Sequence, residues 1–354
     1  MTPDVSAIVV SHRSAAEAEG CVASLREAFA REALDGEVVL VDCGSGEEER
    51  ERLRRIAADA HVLLDENRGY SGGVNAGLAR ARSGTLLVSN ADVVFFPGAV
   101  TLLSRAAGES RVGAAAPLAV WDAEGRLKLP PGFAPGFLRD LAQLTAGRSS
   151  ARDDRRFAAF AREALRLWRV GGSARHLSGA VLAARRAIFD RAGRFDERFP
   201  FEYEETEWQA RVLRAGFDLR FLPQARVRHL WAVSASRNPE TGRRRAQSER
   251  LYRRQRYGRI GRFLLERAAR SRSLAPAGQS PALLTVPAIA ARPGAALAIS
   301  PNPSRIPFAV ADLDSDFRLP DEIAGGLPAG PWYFTVFRAA DGRPLETRVW
   351  EKTA

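Results

Sequence analysis

Glu37-Val-Val-Leu-Val-Asp-Cys-Gly-Ser-Gly-Glu-Glu48 is the stretch on which the fold turns. Glu37 to Val41 is an apolar, β-branched run of strand length, and Ser45-Gly-Glu-Glu48 has the spacing of a capping box that opens a helix to about Ala60. The same unit recurs on both sides. Val5 to Val10 reads as a buried strand, and Ser14-Ala-Ala-Glu17 opens a helix to about Arg31. Downstream, Val62 to Leu64 and Thr85 to Ser89 are a third and a fourth strand, with a helix starting near Val74 between them. Alternation of this kind predicts an α/β fold: a mixed, mostly parallel sheet with helices on both faces and a ligand crevice at the carboxyl ends of the strands. Polar residues just after strands are therefore the candidates for chemistry.

Beyond residue 115 the chain changes. Pro130-Pro131-Gly132 and Pro135-Gly136 interrupt residues 118–175, in which Asp153 to Trp168 forms an arginine-rich amphipathic pattern, and the stretch reads as a variable insertion. Order returns with Ser178 to Ala184, a helix after Arg186 and a helix from about Glu205 to Ala215 ended by Gly216. Short strands follow at Leu219 to Leu222 and Arg226 to His229. From Arg243 to Arg272 there are twelve arginines against Glu249 and Glu266, interleaved with Leu251, Tyr252, Ile260, Phe263 and Leu264. A Pro/Ala/Gly-rich connection leads to a β-rich tail with a hairpin signal at Ala340-Asp341-Gly342-Arg343. The expected organisation is a first domain over 1–240, a basic helical segment over 241–274, a linker over 275–294 and a small β module over 295–354.

With 354 residues, 45% of them apolar and 27% charged, the chain has material for a sizeable core, and wholesale disorder is excluded. The formal net charge is +11, and only Lys128 and Lys352 are lysines. A basic balance suggests anionic partners, although scattered arginines are also what a GC-rich coding sequence would give. Cys21 and Cys43, without a CxxC or metal-ligand neighbour, argue against a disulfide framework and against structural zinc, and fit a reducing compartment. No signal peptide is expected, and Leu283 to Ile299 is interrupted by Pro287, Arg292 and Pro293, so no segment approaches a bilayer span. The expected location is cytoplasmic, with any membrane contact peripheral.

Three constellations stand out. Asn67-Arg-Gly-Tyr-Ser-Gly-Gly-Val-Asn-Ala-Gly77 lies between a strand and a helix, where glycines permit close ligand approach and a helix amino terminus favours phosphate; a Gly-rich turn is also plain punctuation. Asp42 and Asp92 follow strands, so each can meet a nucleobase, a ribose or a divalent cation, or serve as a turn aspartate. Phe201-Glu-Tyr-Glu-Glu-Thr-Glu-Trp208 crowds acids at a helix start among aromatics, which suits a general base with a raised pKa or merely complements the helix dipole. His229 ends a strand 24 residues after Glu205.

In order and context, Asp42, Asn67 to Gly77, Asn90-Ala-Asp92, Ser178-Gly-Ala180, Phe195-Asp-Glu with Tyr203-Glu-Glu205, and His229 resemble the inverting family 2 glycosyltransferases of the GT-A fold, and most nearly their rhamnosyltransferase-type members. The resemblance covers about residues 5–260. It implies a nucleotide-sugar site of Ser11, Asp42, Asn67, Arg68, Gly69, Gly72, Gly73, Asn75, Asn90, Ala91 and Asp92, with Asp42 at the base and the Asn67 to Asn75 loop at the diphosphate. It further implies Mg²⁺ or Mn²⁺ at Asp92 and His229, and Glu205 as the base with Glu204 as a substitute. Asn90 stands where many members have an acid, and Glu205 where an Asp is usual. The implied reaction is direct displacement, moving a sugar from a dTDP- or UDP-linked donor to a hydroxyl of a cell-surface glycan or lipid-linked acceptor.

A GT-A-like protein that binds a glycan without turnover is the alternative. A nucleotidyltransferase would want a basic glycine-rich loop after the first strand, which Ser11-His-Arg-Ser14 does not supply. The basic segment suits an anionic membrane surface or a solvated helix face, and no nucleic-acid module accompanies it. Trp332, Tyr333, Phe334 and Phe337 read as a core stripe rather than a sugar platform. Donor sugar, acceptor and oligomeric state are not legible.

Overall fold

The computed structural model describes residues 2–132, 135–144, 150–230, 240–270, 285 and 287–353. The chain forms two compact units, Met1–Ala119 with Val170–Gln255, and Val120–Arg169 with Arg256–Ala354. The expected linker at 275–294 lies mostly outside the described residues.

In the first unit β1 (Val5–Ser11), α1 (Ala15–Arg31), β2 (Gly36–Cys43), α2 (Glu47–Arg54), β3 (Ala60–Leu64), α3 (Gly69–Arg80), β4 (Thr85–Asn90), β5 (Val93–Phe95), α4 (Ala99–Gly108) and β6 (Val112–Val120) follow in order. After two helices of the second unit come β7 (Gly172–Ala174), β8 (Val181–Arg185), α7 (Arg186–Ala192), α8 (Glu204–Arg214) and β9 (Asp218–His229). The sheet order is β3-β2-β1-β4-β8-β6-β9-β5, with β7 beside β9. β1, β2, β3 and β4 are mutually parallel, whereas β8 runs antiparallel to β4, and β5 and β7 antiparallel to β9. All of β1 is buried, as a strand covered on both faces must be. This is the mixed, mostly parallel α/β sheet that the alternation of strands and helices predicts.

Several expectations change in detail. α1 begins where expected, yet Ser14 does not cap it: its Oγ lies 3.0 Å from the Ser11 Oγ. α2 stops at Arg54, short of Ala60, and Ser45 accepts from the Arg13 amide instead of capping. The two strands expected after Gly216 are one continuous β9. Most consequential, α3 starts at Gly69 rather than Val74, so the glycine-rich stretch is helix, not loop.

The second unit contains α5 (Phe137–Leu144), α6 (Ser150–Val170), the second half of α9 (Thr241–Arg270), β10 (Ala295–Ser300), β11 (Ala309–Asp312), α10 (Asp321–Gly326), β12 (Gly330–Arg338) and β13 (Pro344–Lys352). Its antiparallel sheet has the order β11-β10-β12-β13. Residues expected as an insertion in the first domain belong with this sheet, for a packing reason. Phe157 stacks on Phe308 at 5.1 Å and meets Phe337 edge-on at 5.3 Å, and Lys128 and Val310 exchange backbone hydrogen bonds of 2.8 Å. Trp332, Tyr333, Phe334 and Phe337 are all buried, a core stripe. Cys21 and Cys43 are free and buried, and burial pushes both thiols up to about 12, which disfavours the thiolate.

Candidate active site

At the carboxyl ends of β1 and β2 the polar residues are held by contacts with one another. Ser11 ends β1 and is buried. Asp42 is wholly buried on β2, where it accepts from the Ser45 amide at 3.2 Å and from Arg50 Nε at 3.1 Å; Arg50 also donates to the Leu64 carbonyl. Asn67 accepts from the Gly69 amide at 2.9 Å, and its Nδ2 lies 3.1 Å from His12 Nε2. Because that amide nitrogen donates, the His12 Nε2 accepts, and the proton sits on Nδ1, which donates to the Cys43 carbonyl at 2.8 Å. Burial lowers the His12 imidazole below its ordinary range, and the nearby Arg13 and Arg244 act in the same direction. His12 was not singled out in the sequence, though it directly follows a strand.

The glycines of α3 serve packing. A Cβ on Gly73 would lie 2.6 Å from Cys43 Sγ and from Val10 Cγ1, and one on Gly77 would overlap Ile8, so these residues let α3 lie directly on β1 and β2. A Cβ on Gly72 would meet Arg68 of its own helix, and Gly69 holds a positive φ of 71° against Pro200. Asn75 is also committed: its amide donates to the Phe195 carbonyl and to Glu197 Oε1, both at 2.9 Å, and accepts from the Phe195 amide at 3.1 Å. Arg68 binds the other Glu197 oxygen at 2.5 Å. Together they fasten residues 195–197, the approach to the acid cluster.

Asn90 and Ala91 lead from β4 into Asp92. The β5–β9 pairing sets Val93 opposite His229, and the Leu230 amide donates to the Asp92 carbonyl at 3.0 Å, which brings Asp92 Oδ1 within 3.3 Å of His229 Nε2. Both side chains are buried. A carboxylate and an imidazole are a fitting pair of donors for a divalent cation that keeps other positions for water or phosphate oxygen. Among the described residues no third His, Cys, Asp or Glu joins them.

The acid cluster sits at the start of α8, which is anchored by Trp208, stacked on Phe189 at 4.7 Å and donating to the Gly193 carbonyl at 3.0 Å. Gln209 grips the backbone of Leu177 from both sides, its Oε1 accepting from the amide at 2.7 Å and its Nε2 donating to the carbonyl at 2.9 Å. That docks His176 to Ala180 on the helix start. Gly179 lies beneath Glu205, where a Cβ would be 2.7 Å from Glu205 Cγ. Thr206 Oγ1 donates to Glu205 Oε1 at 3.1 Å and lies 2.9 Å from His176 Nε2, whose N–H it therefore accepts. Glu202 and Tyr203, immediately before the acids, both hold left-handed backbone, φ 60° and 70°, a strain that surrounding contacts must sustain. The first half of α9 supplies them: Arg245 pairs with Glu202 at 2.7 Å, Ser248 accepts from the Phe201 amide at 3.3 Å, and Tyr252 packs on Tyr203 at 5.2 Å.

Burial, then the charge of Glu205, raises the Glu204 carboxyl well above its ordinary range, and Glu204 Oε2 has no hydrogen-bond partner among the described residues. Burial also raises Glu205, to about 7, although its side chain keeps 18% of its surface exposed. Tyr70 ties the two sides together: it donates to the Gly179 carbonyl at 3.2 Å, and burial followed by the charges of Glu204, Glu205 and Asp92 raises its phenol well above 10.

Residues 6–168 match the model of the glycosyl transferase family 2. The chain carries a family 2 glycosyltransferase domain. The chain is similar to the N-acetylglucosaminyl-diphospho-decaprenol L-rhamnosyltransferase of Mycobacterium tuberculosis, in strains CDC 1551 / Oshkosh and ATCC 25618 / H37Rv. The identity is 28% over 255 residues, covering 68% of this chain and 80% of that protein. Among solved structures, the mannosyltransferase PcManGT from Pyrobaculum calidifontis in complex with GDP-Man and Mn²⁺ overlaps 76% of this chain and 74% of its own at a TM-score of 0.45 and 18% identity. GalNAc-T7 with UDP, GalNAc and Mn²⁺ overlaps 64% of this chain and 44% of its own at 0.44 and 17%. The similarity is thus to a glycosyltransferase of the rhamnosyltransferase type.

Proposed function

We propose that this glycosyltransferase moves a rhamnosyl group from a dTDP- or UDP-linked donor to a hydroxyl of a lipid-linked acceptor, by direct displacement at the anomeric carbon. The observation that carries the mechanism is the Glu204–Glu205 pair, in which one carboxyl is fully enclosed and the other, poised near neutrality, reaches solvent. Glu205 takes the proton of the acceptor hydroxyl; burial favours the neutral form of Glu204, which leaves that role to its more open neighbour. Thr206 and His176 hold Glu205 Oε1 in place, and Gly179 leaves room for its side chain. Asp92 and His229 would hold a divalent cation, Mg²⁺ or Mn²⁺, whose Lewis acidity stabilises charge on a departing diphosphate. The sugar and acceptor classes are supported by the curated relative, whose name gives a polyprenyl-diphosphate-linked acceptor. No helix among the described residues is long and apolar enough to cross a membrane, so action on such an acceptor calls for peripheral attachment at the inner membrane face.

Two measurements test this. Thermal unfolding against dTDP, UDP, GDP and ADP, each with and without Mn²⁺, should show a metal-dependent rise with one pyrimidine diphosphate; a ligand at 100 times its Kd stabilises by about 2.7 kcal/mol. Glu205→Gln should lower turnover by about 10² to 10⁴ and keep that rise. Turnover near that of the wild type would falsify the assignment of the base.

A further inference from the structure

The arginine-rich stretch over 243–272 behaves as two different helices. α9 is interrupted at Gly258, whose φ of 60° and ψ of −167° are not helical. Its first half is consumed in bracing the acid cluster through Arg245, Ser248 and Tyr252, and Arg253 pairs with Glu249 at 2.6 Å. Its second half belongs to the other unit. There Tyr257 packs edge-on against Phe137 of α5 at 5.8 Å and donates to Asp140 Oδ2 at 3.1 Å, and Leu265 is buried.

The opposite face of this half-helix is unusual. Ile260, Phe263 and Leu264 are 78%, 60% and 44% exposed, and Leu138 on α5 is 78% exposed. Positions i, i+3 and i+4 lie on one helix face, so the three form a continuous apolar patch. Half of the exposed large apolar side chains among the described residues are these four. Arg267 lies one turn after the patch, Arg259 adjoins it and Arg256 lies just before the break at Gly258; all three are exposed, and Glu266 is the one acid between 256 and 270.

Water leaves such apolar side chains unfavourably exposed, and a protein interface would bury the arginines among them at a high desolvation cost. A phosphodiester backbone would satisfy the arginines and do nothing for the apolar patch. An anionic bilayer surface satisfies both: its acyl boundary takes up the apolar tips and its headgroups pair with guanidinium groups that snorkel. We propose that the second half of α9, together with Leu138, is an in-plane membrane anchor that inserts Ile260, Phe263 and Leu264 into the interface of an anionic bilayer. The anchor goes beyond the transfer reaction and does not depend on it.

Flotation of the full chain with vesicles of phosphatidylcholine, alone or mixed with phosphatidylglycerol, tests the anchor. The protein should float with the mixed vesicles only, and less at high salt. Replacing the patch together (Ile260→Ser, Phe263→Ser, Leu264→Ser) should weaken binding at least about tenfold at an unchanged Tm. Arg256→Gln with Arg259→Gln and Arg267→Gln should remove the salt dependence, whereas Leu345→Ser, an exposed apolar site elsewhere, should bind as the wild type does. As a second readout, Phe263→Trp should be quenched by brominated acyl chains. The proposal is overturned by absence of binding to phosphatidylglycerol vesicles, by undiminished binding of the triple serine variant, or by an unquenched tryptophan. Salt-sensitive binding to duplex DNA in place of vesicles would likewise overturn it and assign the face to nucleic acid. Neither readout uses sugar transfer, so failure of the anchor and failure of the transfer reaction are separately visible.

Discussion

The two sides of the crevice in the first unit are built on opposite principles. On the β1–β2 side the polar groups are satisfied by one another: Asp42 by Arg50 and Ser45, Asn75 by Phe195 and Glu197, and His12 by Cys43 and Asn67. On the α8 side, Glu204 is buried with an oxygen that has no partner among the described residues, Glu205 is raised toward neutrality, and the backbone before them is strained. Folding normally removes such features, because an enclosed ionisable group costs stability. Where they persist, surrounding structure is holding them for chemistry, and the glycine helix next to them is part of that structure.

If this contrast is right, substitutions on the two sides should separate activity from stability. Glu205→Gln carries the largest effect, a loss of about 10² to 10⁴ in turnover, and it should not cost stability. A carboxyl raised in the folded state from 4.5 to about 7 favours folding in its protonated form, so stability is lost as pH rises between those values. The glutamine variant should therefore unfold at a higher temperature than the wild type at pH 8 and show no such gain at pH 4. An equal or lower Tm at pH 8 would break the comparison.

The pH profile comes next. Because the base must be ionised, kcat/KM should fall about tenfold per pH unit below about 7 and level off above it, and the glutamine variant should lose that limb. A flat profile between pH 5 and 8 would remove Glu205 from the chemistry. On the other side, Gly73→Ala forces a methyl against Cys43 and Val10 and should cost about 1 to 3 kcal/mol in denaturant unfolding, with turnover per folded molecule unchanged. A lost nucleotide response at full stability would instead make Gly73 a ligand contact. The smallest effect is expected of Tyr70→Phe, which removes one hydrogen bond to Gly179, about 1 kcal/mol, with a several-fold change in turnover at most.

Much of this is legible in the sequence. The strand and helix alternation over residues 5–90 appears nearly as read, because buried parallel strands are continuous apolar runs whose neighbours in sequence are neighbours in space. The acid cluster and Asp92 with His229 also stood out, since each occupies a strand or helix end. His12, Tyr70, His176, Thr206 and Gln209 did not. Their roles come from partners 30 to 109 residues away, and no local pattern marks such a pairing. The start of the helix in the glycine-rich stretch was out of reach for a related reason: it begins at Gly69 rather than near Val74, where Gly73 and Gly77 lie directly on Val10, Cys43 and Ile8.

By itself, then, the sequence determined the α/β class, the parallel strands and the residue types that meet at their carboxyl ends, because periodicity, capping residues and strand termini are local properties. Tertiary structure decided which carboxylate is enclosed and which is open, that residues 120–169 belong with the C-terminal sheet, and that one arginine-rich helix serves two units. These are matters of burial and of long-range contact, which arise only when segments distant in the chain exclude water from one another.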